Sequence, residues 1–230
     1  MFSILKNKKV LITAGPTREA IDPVRYISNH SSGKMGYAIV ESFLEKGAEV
    51  ILISGPVNLK LEHPNLTLVK INSASEMYLA CCRFFEHIDI AVFAAAVADY
   101  RPKIVAEQKI KKDDATFSIQ MVKNVDIAFE FGKIKNANQL AVGFALETND
   151  ELKHAVSKLD KKNLDMVVLN SMNDTNATFG FDTNKISIIK NDLTPKIYPL
   201  KSKTHVAEDI LQEIEILISQ KAIFSRLSVA

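Results

Sequence analysis

Apolar positions along this chain recur with two periods, and the alternation between them sets the first expectation of its fold. The run Val10-Leu11-Ile12, within residues 9–14, predicts a strand ending at the turn Ala14-Gly15-Pro16-Thr17. From Met35 to Lys46, residues Ala38, Ile39, Phe43 and Leu44 recur at helical spacing. Gly47 then ends that helix as a C′ residue. Residues 48–54, closed by Gly55-Pro56, and 66–71 read as the next strands, and Asn72 or Ser73 caps a helix with Glu76 behind it. Residues 89–98 are apolar on both faces, as a central parallel strand is, and 140–146 and 165–170 repeat the pattern. This alternation predicts an α/β protein: a doubly wound, Rossmann-like, mostly parallel sheet with helices on both faces.

Two stretches break the alternation. Residues 186–190 and 196–200 flank Asn191-Asp192-Leu193-Thr194-Pro195 and read as an edge hairpin, at about 185–201. Between Tyr100 and Lys123 lies an insertion with Pro102, the basic cluster Lys109-Ile110-Lys111-Lys112, and Phe117, Ile119 and Met121 alternating with polar residues. That alternation predicts an exposed strand with one apolar face, and a second subunit is its simplest cover. From Lys203 onward, Val206, Ile210, Leu211, Ile214, Leu217 and Ile218 describe an amphipathic final helix. No repeat or linker divides the chain, so residues 1–230 are expected to form one domain.

Composition narrows the function. With 230 residues and 47% of them hydrophobic, the chain can bury a substantial core. A net charge of +2 argues against a large nucleic-acid footprint. The longest apolar run, residues 90–98, is too short to span a membrane, and the N-terminus lacks the apolar stretch of a signal peptide. The adjacent Cys81 and Cys82 read as reduced side chains of a cytoplasmic protein. The five histidines have no metal-binding spacing.

Candidate chemistry concentrates in Asp22-Pro-Val-Arg-Tyr-Ile-Ser-Asn-His-Ser-Ser-Gly-Lys-Met-Gly36. A connection of about fifteen residues between a strand and its helix is longer than the turn requires, and such loops are usually functional. Its Arg, Asn, His and Ser residues are hydrogen-bonding groups rather than strong nucleophiles. Ser31-Ser32-Gly33-Lys34-Met35-Gly36 opens a helix, where free N–H groups favour anions, although ordinary capping explains the same residues. The spacing is neither a P-loop nor the dinucleotide fingerprint. Asp99 follows the fourth strand at the carboxyl edge, suited to a ligand hydroxyl or to a turn cap. Lys109, Lys111 and Lys112 form either a solvated tip or a flap that carries cations to a polyphosphate. Lys158 and Lys162, four residues apart, share a helical stripe, and Phe144 near a strand end suits either core packing or stacking on a ligand.

These segments together resemble the phosphopantothenoylcysteine synthetase (phosphopantothenate–cysteine ligase) family of coenzyme A biosynthesis. The similarity begins with residues 9–19 and Asp22 to Gly36. It continues through Ser54-Gly-Pro56, Ala94-Ala-Ala-Val-Ala-Asp99, Lys109-Ile-Lys-Lys112, Met121-Val-Lys-Asn124, Gly143-Phe-Ala-Leu-Glu-Thr148 and Asn163-Leu-Asp165. It implies a ligase that uses CTP, in the bacterial type, to activate the carboxylate of 4′-phosphopantothenate as an acyl-cytidylate. The amine of L-cysteine then displaces CMP. By the same resemblance Asn29 and Arg25 are catalytic. Ala95, Asp99, Lys109, Phe144, Lys158 and Lys162 bind nucleotide, and Ser31, Ser32, Gly33 and Gly36 cradle the substrate phosphate. Mg²⁺ accompanies the triphosphate, with no protein ligand identified.

The family is dimeric, and its bacterial members commonly carry a flavin-dependent phosphopantothenoylcysteine decarboxylase half. No such half lies within this chain, which is either a stand-alone synthetase or an excised domain. Two other readings of the fold remain: an NAD(P)-dependent oxidoreductase, disfavoured by the missing glycine fingerprint, and a non-catalytic nucleotide-binding protein.

Overall fold

In the computed structural model, which describes residues 3–111, 116–178 and 180–227, the first apolar run forms β1 (Lys9–Ala14), buried at every position except Lys9. The long connection after it contains a small antiparallel hairpin, β2 (Arg18–Ala20) and β3 (Tyr26–Ser28). The helix α1 (Lys34–Glu45) follows, and Gly47 reverses the chain at φ 81°. Next come β4 (Glu49–Ser54), β5 (Leu66–Lys70), α2 (Ala74–Phe84) and β6 (Ile90–Phe93). Ser73 caps α2, accepting the Glu76 N–H at 3.2 Å, while the Glu76 carboxylate accepts from Asn72 N–H at 2.8 Å. The remaining elements are β7 (Tyr100–Pro102), β8 (Met121–Lys123), α3 (Ile127–Ile134), β9 (Leu140–Glu147), α4 (Glu151–Lys161), β10 (Met166–Ser171), β11 (Thr183–Lys190), β12 (Lys196–Ser202) and α5 (Lys203–Leu227).

Eight strands make one sheet in the order β12-β11-β10-β9-β6-β1-β4-β5. The six from β10 to β5 run parallel, and β11 and β12 add the expected antiparallel edge hairpin. The chain starts mid-sheet at β1, moves outward through β4 and β5, then returns to β6 on the other side. The order therefore reverses between β1 and β6, and a crevice opens beyond their carboxyl ends.

Strand alternation gives the sheet two cores. Val10, Ile12 and Ala14 pack with Phe43 of α1 and Ile210 and Ile214 of α5. Leu11 points the other way, into a layer with Met77, Phe131 and Leu159 from α2, α3 and α4. The Phe131 ring lies 4.5 Å from that of Phe85 and 6.2 Å from that of Phe93, centroid to centroid. Each such fully buried side chain contributes about 1.5–3 kcal/mol relative to exposure.

Two expectations are corrected here. The run at 89–98 is strand only as far as Phe93, because the ladder with β9 ends at Phe93–Gly143 and, on the β1 side, only an isolated bridge between Pro16 and Ala96 continues it. In the insertion, residues 116–120 have no ladder partner among the described residues, and only Met121–Lys123 pairs, with Tyr100–Pro102. Lys112 of the basic cluster lies outside the described residues.

Candidate functional site

Two cavities sit side by side in the crevice. The larger, about 500 Å³, is lined by Ala95, Asp99, Asn124, Asp126, Phe144, Lys158 and Lys162 among others. The smaller, about 160 Å³, is lined by Ser31, Ser32, Gly33, Gly36, Asn170, Asn184 and Lys203 among others. Ala95 and Phe144 line both, so the wall between them is built from the 94–96 run and one aromatic ring.

Hydrogen bonds from the β1 side hold that wall. Ala94 N–H donates to Thr13 O (3.2 Å), Ala95 N–H to Thr13 Oγ1 (3.3 Å) and Ala96 N–H to Gly15 O (2.9 Å). The buried Thr17 accepts Ala98 N–H at its hydroxyl (3.0 Å) and donates its own N–H to Ala96 O (3.3 Å). From the far side, Asn124 donates from its side-chain amide to Ala98 O (2.8 Å) and from its N–H to Asp99 O (2.8 Å). Alanine along this run leaves room that larger side chains would fill, so fixed backbone and a ligand can meet closely.

Two cations of the larger cavity, Lys158 and Lys162, are each paired with a carboxylate. Lys158 Nζ lies 3.3 Å from Glu147 Oε1, and Lys162 Nζ lies 2.8 Å from Asp126 Oδ2. Asp126 also caps α3, accepting Phe129 N–H at 3.1 Å. A phosphate entering here would compete with these carboxylates for the two lysines. Among the described residues, no group of three His, Cys, Asp or Glu side chains could hold a metal ion.

The smaller cavity has a helix N-terminus at its floor. Gly33, at φ 78°, occupies the N-cap of α1 without a side-chain cap, and the first intrahelical bond runs from Tyr37 N–H to Gly33 O (3.1 Å). The amides of Lys34, Met35 and Gly36 precede that bond, at the positive end of the helix. Gly36 has a packing reason as well: a Cβ there would lie 2.5 Å from Ala14 Cβ. Lys34 pairs with Asp182 at 2.5 Å, and burial together with the neighbouring Lys34 draws the Lys203 ammonium below the ordinary lysine pKa, against Asp182.

Of the expected site residues, Ala95, Asp99, Phe144, Lys158 and Lys162 share the larger cavity, and Ser31, Ser32, Gly33 and Gly36 share the smaller. Asn29, Arg25 and Lys109 lie outside both linings. Asn29 rests against the shared wall, donating from Nδ2 to Ala96 O at 3.0 Å. The Arg25 guanidinium turns back onto Asp22 through Nε (3.0 Å) and a close Nη2 contact, and Nη2 also reaches Ile110 O (3.1 Å). Lys109, exposed, is the chain neighbour of that clamped Ile110.

Asp22 is buried and accepts further bonds from Val24 N–H (2.9 Å), Arg25 N–H (2.9 Å) and Ile110 N–H (3.1 Å). The Arg25 side-chain bond holds its carboxyl well below the usual range; burial opposes this and the backbone N–H groups add to it. Sequence reading assigned no role to Asp22, Thr17, Asn124, Asn170, Asn184 or Lys203. An aspartate followed by proline and, three residues on, arginine is the local signal for the Asx turn at Asp22.

Comparison with known proteins shows the family and the fold. The family described as DNA/pantothenate metabolism flavoprotein C-terminal domain matches residues 5–217. A cysteine/cysteine sulfinic acid decarboxylase from an unknown prokaryotic organism is 47% identical over 214 residues, 93% of this chain and 60% of that protein. The coenzyme A biosynthesis bifunctional protein CoaBC of Bacillus subtilis (strain 168) is 45% identical over 216 residues, 94% of this chain and 53% of that protein. The chain thus spans little more than half of these relatives. A crystal structure of the C-terminal domain of CoaBC is 40% identical, with a TM-score of 0.79, and the similarity covers 95% of this chain and 100% of that one. On that match the chain belongs to the family of DNA/pantothenate metabolism flavoprotein C-terminal domains.

Proposed function

We propose that this domain is a phosphopantothenate–cysteine ligase of coenzyme A biosynthesis, acting on 4′-phosphopantothenate and L-cysteine with CTP. The observation that carries the reading is the pair of cavities with a common wall at Ala95 and Phe144. One has lysines for a nucleotide's phosphates, and the other has a helix N-terminus for a substrate phosphate. A carboxylate substrate and a nucleotide α-phosphate would meet across that wall.

The carboxylate oxygen attacks the α-phosphorus, pyrophosphate leaves, and an acyl-cytidylate forms. The amine of cysteine then attacks the acyl carbon, CMP leaves with the bonding electrons, and the ammonium proton passes to solvent. Carboxylates resist attack because of their charge and poor leaving group; the mixed anhydride removes both obstacles. Orientation and hydrogen-bond donors then supply most of the acceleration, with no protein nucleophile required. In this scheme Asn29 meets the acyl carbonyl or the incoming amine. Arg25 presents the end of its guanidinium not used on Asp22, and Lys109 reaches the triphosphate. Mg²⁺ would be held largely by phosphate oxygens, and Asp99, which lines the same cavity, is the carboxylate that would assist them.

We further propose a homodimer in the cytoplasm, residues 1–230 acting as one synthetase domain beside a flavin-dependent decarboxylase. Exposed Ile104, Val105 and Phe117 on the insertion support the dimer. Among the described residues no helix is long and apolar enough to cross a membrane. The decarboxylase name of one relative belongs to a protein of which this chain spans 60%, whereas the CoaBC C-terminal domain is matched over its whole length. Mass-spectrometric detection of 4′-phosphopantothenoylcysteine, formed from both substrates and CTP, tests the proposal. Nucleotide binding without that product would favour a non-catalytic nucleotide-binding protein.

A further inference from the structure

The loop that carries Arg25 and Asn29 and the insertion that carries Lys109 are distant in sequence and meet at one side chain. Asp22 and Ile110 are 88 residues apart, yet the Ile110 N–H donates to Asp22 Oδ2 at 3.1 Å. The Ile110 carbonyl accepts from Arg25 Nη2 at 3.1 Å, so both backbone groups of one insertion residue are held by the Asp22–Arg25 pair. A second tie lies nearby, from Ala106 N–H to Ile21 O at 3.0 Å. Asp22 is itself 2% exposed and accepts from Val24, Arg25 and Ile110, which leaves it no part facing solvent. Fixing an exposed insertion through a fully buried carboxylate is an expensive arrangement unless the insertion must be held at a defined place.

We infer that Asp22 is a positioning residue: its carboxylate locks Arg25 and the Lys109–Ile110 backbone into one unit, so that the catalytic loop and the triphosphate-reaching lysine are set together. The inference rests on the ligase reading for Lys109 and Arg25, but the lock itself does not.

Two variants test it. Asp22→Asn keeps the shape and removes the charge that gathers these donors. Ile110→Pro removes the N–H donor while leaving the Asp22–Arg25 pair intact. Charge-assisted hydrogen bonds of this kind are strong enough that losing one should speed tryptic cleavage about tenfold. The cuts fall after Lys109 and Lys111 in Asp22→Asn and after Lys111 in Ile110→Pro, because trypsin does not cut between Lys109 and a following proline. In turnover, KM for CTP should rise about tenfold while KM for cysteine stays within about twofold, and Lys109→Ala should add little in the Asp22→Asn background. Cleavage at the unmodified rate in both variants overturns the lock, as does a parallel rise in both KM values. If Asp22→Asn does not fold, Ile110→Pro decides, because its side chain is only partly buried on the insertion. A wild-type protein that resists trypsin but makes no product would refute the ligase reading and leave the cleavage result valid.

Discussion

Asn29 donates its side-chain amide to the carbonyl of Ala96 at 3.0 Å, joining the end of the β3 loop to the wall shared by the two cavities. This contact places a neutral donor beside the boundary where a nucleotide and a carboxylate would meet. Asn29 is exposed, so its removal leaves the core untouched. Asn29→Ala is expected to fold normally and to slow amide formation by about 100-fold, the loss typical of one positioned donor. Quenched-flow analysis should show acyl-cytidylate accumulating; an unchanged amide rate would remove Asn29 from the chemistry.

The lysines of the larger cavity should act through charge. Lys162→Ala removes a cation and also leaves Asp126 unpaired at the opening. Calorimetric titration with CTP should show affinity lowered about tenfold or more, and Lys158→Ala should have a similar but smaller effect. Both losses should shrink as salt is raised, since screening already weakens the wild-type contact. A loss that persists unchanged at high salt would point to a structural role instead.

Gly36 makes a separate prediction about stability. Adding a methyl group 2.5 Å from Ala14 Cβ forces α1 away from β1. Gly36→Ala should destabilise the domain by about 1–3 kcal/mol in urea titration, the usual range for overpacking. A stability equal to wild type would return this glycine to a purely ligand-facing role.

The edge hairpin is tied to the final helix by Glu213 of α5, buried and bonded to Lys190 Nζ (2.6 Å), Lys196 Nζ (2.6 Å) and Tyr198 OH (2.9 Å). Burial pushes its carboxyl upward, but the three donors outweigh burial and bring it down to about 2, from 4.5. Depression in the folded state means that the contribution is fully present above pH 4.5 and is lost as pH falls through about 2. Glu213→Gln should therefore be less stable than wild type near neutrality, and the gap should close across that window. A gap independent of pH between 2 and 5 would contradict the ionised assignment.

Much of this was legible in the chain because it depends on local patterns. The apolar run Val10-Leu11-Ile12 reads as a strand and 89–98 as a central one, and both are buried on two faces where they are strand, although the second stops at Phe93. The spacing of Val206, Ile210 and Ile214 marked α5 for a similar reason. The β2–β3 hairpin escaped because each strand has only three residues, too few to show a period. The alternation at Phe117, Ile119 and Met121 misled in the opposite way: it describes a strand, but only Met121 has a ladder partner among the described residues. Asp99 and Phe144, which share one cavity, stand out by their places at strand ends, and the family resemblance adds the nucleotide role. Asp22 could not be found that way, since its importance lies in Ile110, 88 residues distant. Sequence offers phosphate approach or ordinary capping for the segment ending at Gly36, and not packing, because its contact with Ala14 exists only once α1 packs on β1.

Pyrophosphate release in the presence of 4′-phosphopantothenate and Mg²⁺, with CTP or ATP, with and without L-cysteine, tests the central claim most directly. The account predicts sustained, cysteine-dependent turnover with CTP. Folded protein that binds CTP yet releases no pyrophosphate with either nucleotide would contradict it.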